Sequence, residues 1–168
     1  MNHSLSSMLT GIADTATVIF YPSQPDERYN LTTIPTQFKQ FEQMQSVRIG
    51  NIVTTIGSDA FYFCDTMTSV TISNRVMNID SGSFAYCTSL TSVTIPPSVT
   101  SIGNYVFQGC FDLSTMNCYV TRTTVDAGTN VLQGTAFPFT INARASDATW
   151  TAGPDTVAGQ TVTVVKNL

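Results

Sequence analysis

Charge is what this sequence has least of. Asp, Glu, Lys and Arg make up 11% of its 168 residues, well under the roughly 25% of an ordinary soluble domain. The seven Lys and Arg form no run, and the formal net charge is −4. Phosphate backbones and anionic lipid surfaces are recognised by clustered cations. Binding to either is therefore not expected. Histidine is almost absent, with His3 alone, which leaves no partner for a catalytic triad or dyad. The four cysteines include no C-x₂₋₄-C pair of the kind zinc sites use. No glycine-rich phosphate loop occurs. No apolar run approaches the 18 or so residues that a membrane helix needs. The first twenty residues contain no Lys or Arg and no continuous apolar stretch, so they do not read as a secretory signal.

Against these absences, 42% of the chain is hydrophobic, enough for one domain with a continuous core. Those residues recur. MQSVRIGNIVTTIGSDAFYFCDT (44–66), MTSVTISNRVMNIDSGSFAYCTS (67–89) and LTSVTIPPSVTSIGNYVFQGCFD (90–112) align without gaps at a period of 23. Seven columns stay apolar, among them Val47/Val70/Val93, Ile49/Ile72/Ile95, Ile56/Ile79/Ile102, Phe61/Phe84/Phe107 and Cys64/Cys87/Cys110. A fourth unit begins at Leu113. Met116, Cys118 and Val125 keep their columns, Arg122 breaks one, and no Phe arrives at position 130. Upstream, Asn30–Pro35 echoes Asn51–Gly57, with Phe38 and Phe41 following as a worn first unit.

Val-x-Ile alternates with period two and predicts a short strand with both apolar side chains on one face. Strands are expected at 46–50, 69–73, 92–96 and 115–119, paired in parallel. Pro96-Pro97 or Gly50-Asn51 ends the strand with a turn, Ile56-Gly57 and Ile102-Gly103 supply a second bend, and Ala60–Phe63 suits a short helical or 3₁₀ turn. One unit buries too few side chains to offset the ordering of 23 residues, so the units must stack.

The string LTSVTIPPSVTSIGNYVFQGC (90–110) closely resembles the BspA-like leucine-rich repeats, over about residues 30–125. The resemblance implies a repeat solenoid, mainly β, with a parallel sheet, used for varied adhesion and protein-contact roles and carrying no catalytic motif. The expected organisation is an N-terminal arm or cap (1–29), the solenoid with degenerate end repeats (30–125), and a β-rich cap or docking segment (126–168). In the last segment Phe139–Ile141 alternates, Gly153-Pro154-Asp155 marks a turn, and Thr161–Val165 is β-branched.

The cysteine columns read as a ladder of buried free thiols, although stacked strands lie close enough for a bridge. The scattered acids Asp59, Asp65, Asp80, Asp112 and Asp126 read as surface turn residues. No cofactor, metal or enzymatic activity is expected. Candidate contact residues fall into two groups. Arg48, Thr71, Thr94 and Asn117 point outward from the strands. Ile19, Phe20, Tyr21, Phe137, Phe139 and Trp150 are aromatic and aliphatic anchors in the non-repeat ends. Two functional readings follow. The first is a structural or adhesive module on a virion or cell surface, anchored through its ends, with a capsid, tail or cell-surface protein or a second copy as partner. The alternative is a cytoplasmic interaction adaptor using the sheet face.

Overall fold

The structure is a computed structural model that describes residues 17–20, 32–34, 44–158 and 160–168, with the backbone alone at 17–20. The chain coils, and each coil contributes a strand to one side and a two-residue strand to another. In chain order the elements are β1 (Thr17–Phe20), β2 (Thr33–Ile34), β3 (Ser46–Ile49), β4 (Thr55–Ile56), β5 (Ser69–Thr71), β6 (Asn78–Ile79), β7 (Ser92–Ile95), β8 (Ser101–Ile102), β9 (Thr115–Cys118), α1 (Arg122–Asp126), β10 (Thr140–Ala143), β11 (Gly153–Val157) and β12 (Gln160–Lys166).

The Val-x-Ile strands lie side by side in parallel, and the pairing is in register with the sequence period. Ser46 sits opposite Ser69, and Ser92 opposite Thr115. No strand ladder bridges β5 and β7, so this side holds a three-stranded sheet (β1-β3-β5) and a five-stranded one (β11-β12-β10-β9-β7). The step read as a second bend is a second parallel sheet, β2-β4-β6-β8. It forms because the Ile of that step faces the core while its neighbours pair with the coil on either side. The third side consists of hydrogen-bonded turns; Ala60–Phe63, expected as a short helical or 3₁₀ turn, carries single bonds to the third residue back but forms no helix. Alternate amides of this side bond across coils, as in Phe61 N–H to Ser83 O (2.8 Å) and Phe84 N–H to Val106 O (3.0 Å), and those between them bond three residues back within the coil, as in Ala60 N–H to Gly57 O (3.2 Å) and Tyr62 N–H to Asp59 O (3.1 Å).

All seven columns point inward, and Phe61, Phe84 and Phe107 form a stacked ladder with ring centroids 5.3 and 5.6 Å apart. The abundant Ser and Thr act as clips between coils. Thr68 Oγ1 donates to Gln45 O (3.0 Å), Thr100 Oγ1 to Met77 O (3.3 Å) and Ser98 Oγ to Val76 O (2.7 Å), each 22 or 23 residues back. A chain poor in charge thus satisfies its corner carbonyls with hydroxyls.

The coil continues past residue 125. Two extra residues enter between β9 and β10, whose register is Thr115 to Thr140, a spacing of 25. The helix α1 accommodates them and takes the place of a second-sheet strand. Its Val125 stays buried, and Leu132 occupies the place that the Phe column vacates. Phe107 N–H accordingly bonds Val131 O (2.9 Å). β12 then returns to the 23-residue spacing, with Thr163 opposite Thr140.

β11 closes this end as an antiparallel edge. Gly153-Pro154-Asp155, expected as a turn, begins that strand, since an edge position tolerates the missing N–H of proline. The Arg122 guanidinium donates to Thr156 O (2.9 Å) and pairs with Asp126 (3.0 Å) and with Asp155. Thr156 N–H is taken by the Asp155 carboxylate (2.7 Å) and Ala158 N–H by Asp126 (3.0 Å).

Candidate interaction surfaces

The sheet side presents the outward residues expected of it. Arg48, Thr71 and Thr94 are exposed and Asn117 half-buried. The last of these are tied together: Asn117 Nδ2 donates to Thr94 Oγ1 (3.3 Å), and Asn142 Nδ2 to Asn117 Oδ1 (2.9 Å). Beside that column runs one of hydroxyls alone, Ser46, Ser69, Ser92, Thr115, Thr140 and Thr163. Along these two columns the surface is uncharged apart from Arg48.

The terminal anchors divide differently. Phe139 and Trp150 are 1% and 2% exposed, and the Trp150 indole N–H donates to Val120 O (3.0 Å). Both belong to the core of the last coil and present nothing to a partner. The coil needs them there, because the repeat's own side chains run out at this end and the next coil's strands must be covered. Phe137 is 79% exposed. Ile19 and Phe20 lie on β1, whose side chains are not described, and Tyr21 and His3 fall outside the described residues.

All four cysteines are buried and none is in a disulfide. Cys87 Sγ donates to Phe61 O (3.2 Å) and Cys110 Sγ to Phe84 O (3.1 Å), so each thiol is spent on the preceding coil. Burial pushes the Cys87 thiol well above its ordinary value, and the neighbouring thiols Cys110 and Cys64 add to the shift. Burial pushes Cys118 up to about 12. Such thiols are poor nucleophiles and poor metal ligands. Among the described residues no group of His, Cys, Asp or Glu is arranged to hold a metal ion, and no helix is long and apolar enough to cross a membrane. A groove of about 550 Å³ opens at the corner of the last coils, lined by Pro97, Tyr119, Thr124, Arg144 and Asp147 among others. The Arg144 guanidinium donates there to Tyr119 O, while its buried Nε has no hydrogen-bond partner among the described residues, and Asp147 is held below the ordinary carboxylate value by hydrogen bonds from Thr149.

The turn side holds exposed aromatics that the sequence columns did not single out. Phe63 is 43% exposed, Tyr105 40% and Phe111 60%. Phe63 stacks on Tyr86 at 5.5 Å. Phe63 and Tyr86 have φ of 62° and 60°, and the same column holds Gly109 and Gly134 at 68° and 74° in the next two coils. The sequence signal was the change from aromatic to glycine along one repeat position.

The BspA type leucine-rich-repeat region matches residues 28–135 as six copies. No curated protein matches the chain. A solved leucine-rich repeat protein from Bacteroides ovatus ATCC 8483 superimposes with a TM-score of 0.56 at 22% identity, over 76% of this chain and 37% of its own length. A leucine rich cell surface protein from Faecalibacterium prausnitzii A2-165 is matched at a TM-score of 0.35 and 22% identity, over 70% of this chain and 42% of its own. The chain thus spans well under half of either solved protein. Repeats of this kind build interaction or surface modules, typically structural and not enzymatic. The chain belongs to the BspA-type leucine-rich-repeat family.

Proposed function

We propose that the chain is a non-catalytic interaction module displayed at a surface, either as a virion accessory of the decoration or fibre type or as an adhesion protein. One observation supports this reading most. The coil spends its apolar columns and its thiols on itself and turns outward a sheet side that is almost free of charge. A scaffold of that kind holds contact residues at fixed spacing without binding nucleic acid or lipid. Attachment falls to residues 1–29, with Ile19, Phe20 and Tyr21, and to Phe137; Phe139 and Trp150 are committed to the core. The locked column Thr94–Asn117–Asn142 favours a second reading, an intracellular adaptor that uses the sheet face. Gradient sedimentation of the native protein from its source cells separates the two. Co-sedimentation with a particle or cell envelope, lost on removing residues 1–29, is the expected result. A slowly sedimenting monomer in the soluble fraction overturns the first reading and supports the second.

A further inference from the structure

The turn side carries a contiguous apolar line. The Phe63 ring stacks on Tyr86. A Cβ at Gly109 would lie 2.5 Å from the Tyr86 ring, so that ring lies across the bare backbone of the next coil. A Cβ at Gly134 would come within 3.7 Å of both Gly109 and the Phe111 ring, which joins Phe111 to the same line. Phe63 and Tyr86 hold the left-handed backbone that disfavours a side chain, at a position where the chain elsewhere uses glycine. The left-handed conformation itself belongs to the turn, since it recurs in every coil both here and at Asp59, Gly82, Tyr105 and Asn130; what sets the first two coils apart is that they place a ring at this position. The pair is stacked at 5.5 Å, with one Tyr86 face against the glycine backbone, and exposed aromatic side chains of this kind serve as anchors in protein interfaces.

The turn segments carry one sign of charge. Segments 57–66, 80–89, 103–112 and 128–137 contain Asp59, Asp65 and Asp80, which are half-buried, and the exposed Asp112, and no Lys, Arg or His. Two copies meeting through this side would bring those acids together, and an anionic membrane or nucleic acid would be repelled. We propose that the turn side is the contact face for a protein partner whose apolar patch is ringed by Lys and Arg. The proposal rests on the reading of the chain as an interaction module and places the contact on the side away from the sheets.

The test uses the full chain and a random peptide display library as the probe. Enriched peptides are expected to combine apolar residues with Lys or Arg, and their binding is expected to weaken as salt rises. Tyr86→Gly, which removes the ring and relieves the backbone, and Phe111→Ser, which changes an exposed side chain, are each expected to lower affinity by about tenfold or more. Both variants are expected to unfold at no lower denaturant concentration than the parent by more than the scatter of the measurement, and Thr94→Ala on the sheet side is expected to leave binding unchanged. Loss of binding in Thr94→Ala with retention in Tyr86→Gly and Phe111→Ser overturns the turn-side proposal and leaves the interaction module standing. Enrichment of acidic peptides also overturns it. Failure to enrich any peptide counts against both.

Discussion

Replacing Phe84 by Ala tests whether the stack is one continuous core. Phe84 is fully buried between Phe61 and Phe107, in near-parallel contact with both, at interplanar angles of 11° and 9°. Deleting a buried aromatic costs about 3–5 kcal/mol through lost transfer energy and the cavity left behind. The two ring contacts, each worth about 0.5–1.5 kcal/mol, place this site toward the upper end of that range. The cavity has little freedom to collapse, because the Phe61 and Phe84 amides are bonded to Ser83 O and Val106 O of the coils beyond. Phe107 has a ring on one side and Leu132 on the other, so Phe107→Ala is expected to cost less by one ring contact, about 0.5–1.5 kcal/mol. Urea titration followed by circular dichroism measures both. Against a domain stability of about 5–15 kcal/mol, the Phe84 loss is a large fraction. A change under about 1 kcal/mol, or one no greater than that of the exposed Phe111→Ala, refutes the continuous ladder.

Gly109→Ala places a methyl against Tyr86 at a positive φ, and a loss of about 2 kcal/mol is expected, part of it strain; Tyr86→Gly in the same chain should restore the part due to overlap, and calorimetry reads both. The thiols should be silent to a thiol reagent in the folded chain, and all four should be recovered in denaturant without reductant; recovery of two would mean a bridge. Folded Cys118 keeps its proton up to about pH 12, whereas an ordinary thiol ionises near 9.0; its contribution is therefore whole below pH 9 and is lost as pH rises through that interval. Cys118→Ala should flatten the fall of unfolding free energy on the alkaline side, and an unchanged slope would show that the thiol does not carry it. Removing residues 144–168 strips β11, β12 and Trp150 from the last coil; hydrogen exchange should then show loss of protection at β10 and β9. Full protection in the shortened chain would mean that this segment is not a cap.

The columns were legible because each faces a single core and returns every 23 residues without interruption across three units. The second sheet was not, since two residues such as Thr55-Ile56 carry no alternation and their pairing partners lie a whole coil away. Leu132 was hidden by the two-residue insertion, which shifts every later column and makes Asn130 stand where Phe was sought. Phe139 and Trp150 read as surface anchors for the same reason: with no repeat to align them to, an aromatic residue gives no sign of which way it points. The strands at Thr140–Ala143 and Gln160–Lys166 were visible as β-branched alternation, while Gly153–Asp155 was misplaced because proline marks turns and edges alike. Arg48, Thr71, Thr94 and Asn117 could be assigned outward from period two alone. The exposed aromatics of the turn side escaped notice because their meaning lies in backbone dihedral angles.

The closed edge at β11 also bears on polymer chemistry. A stack of identical pitch is in principle a growing chain, since each coil templates the next and nothing in its columns fixes how many there are. At this end the template is chemically terminated: Pro154 offers no amide hydrogen, and the amide and carbonyl of Thr156 are already occupied by Asp155 and Arg122. Strand addition along β11 is therefore disfavoured at these positions. A chain carrying Pro154→Val and Arg122→Ala would have a reactive end, and its size distribution by light scattering should broaden with concentration where the parent's does not.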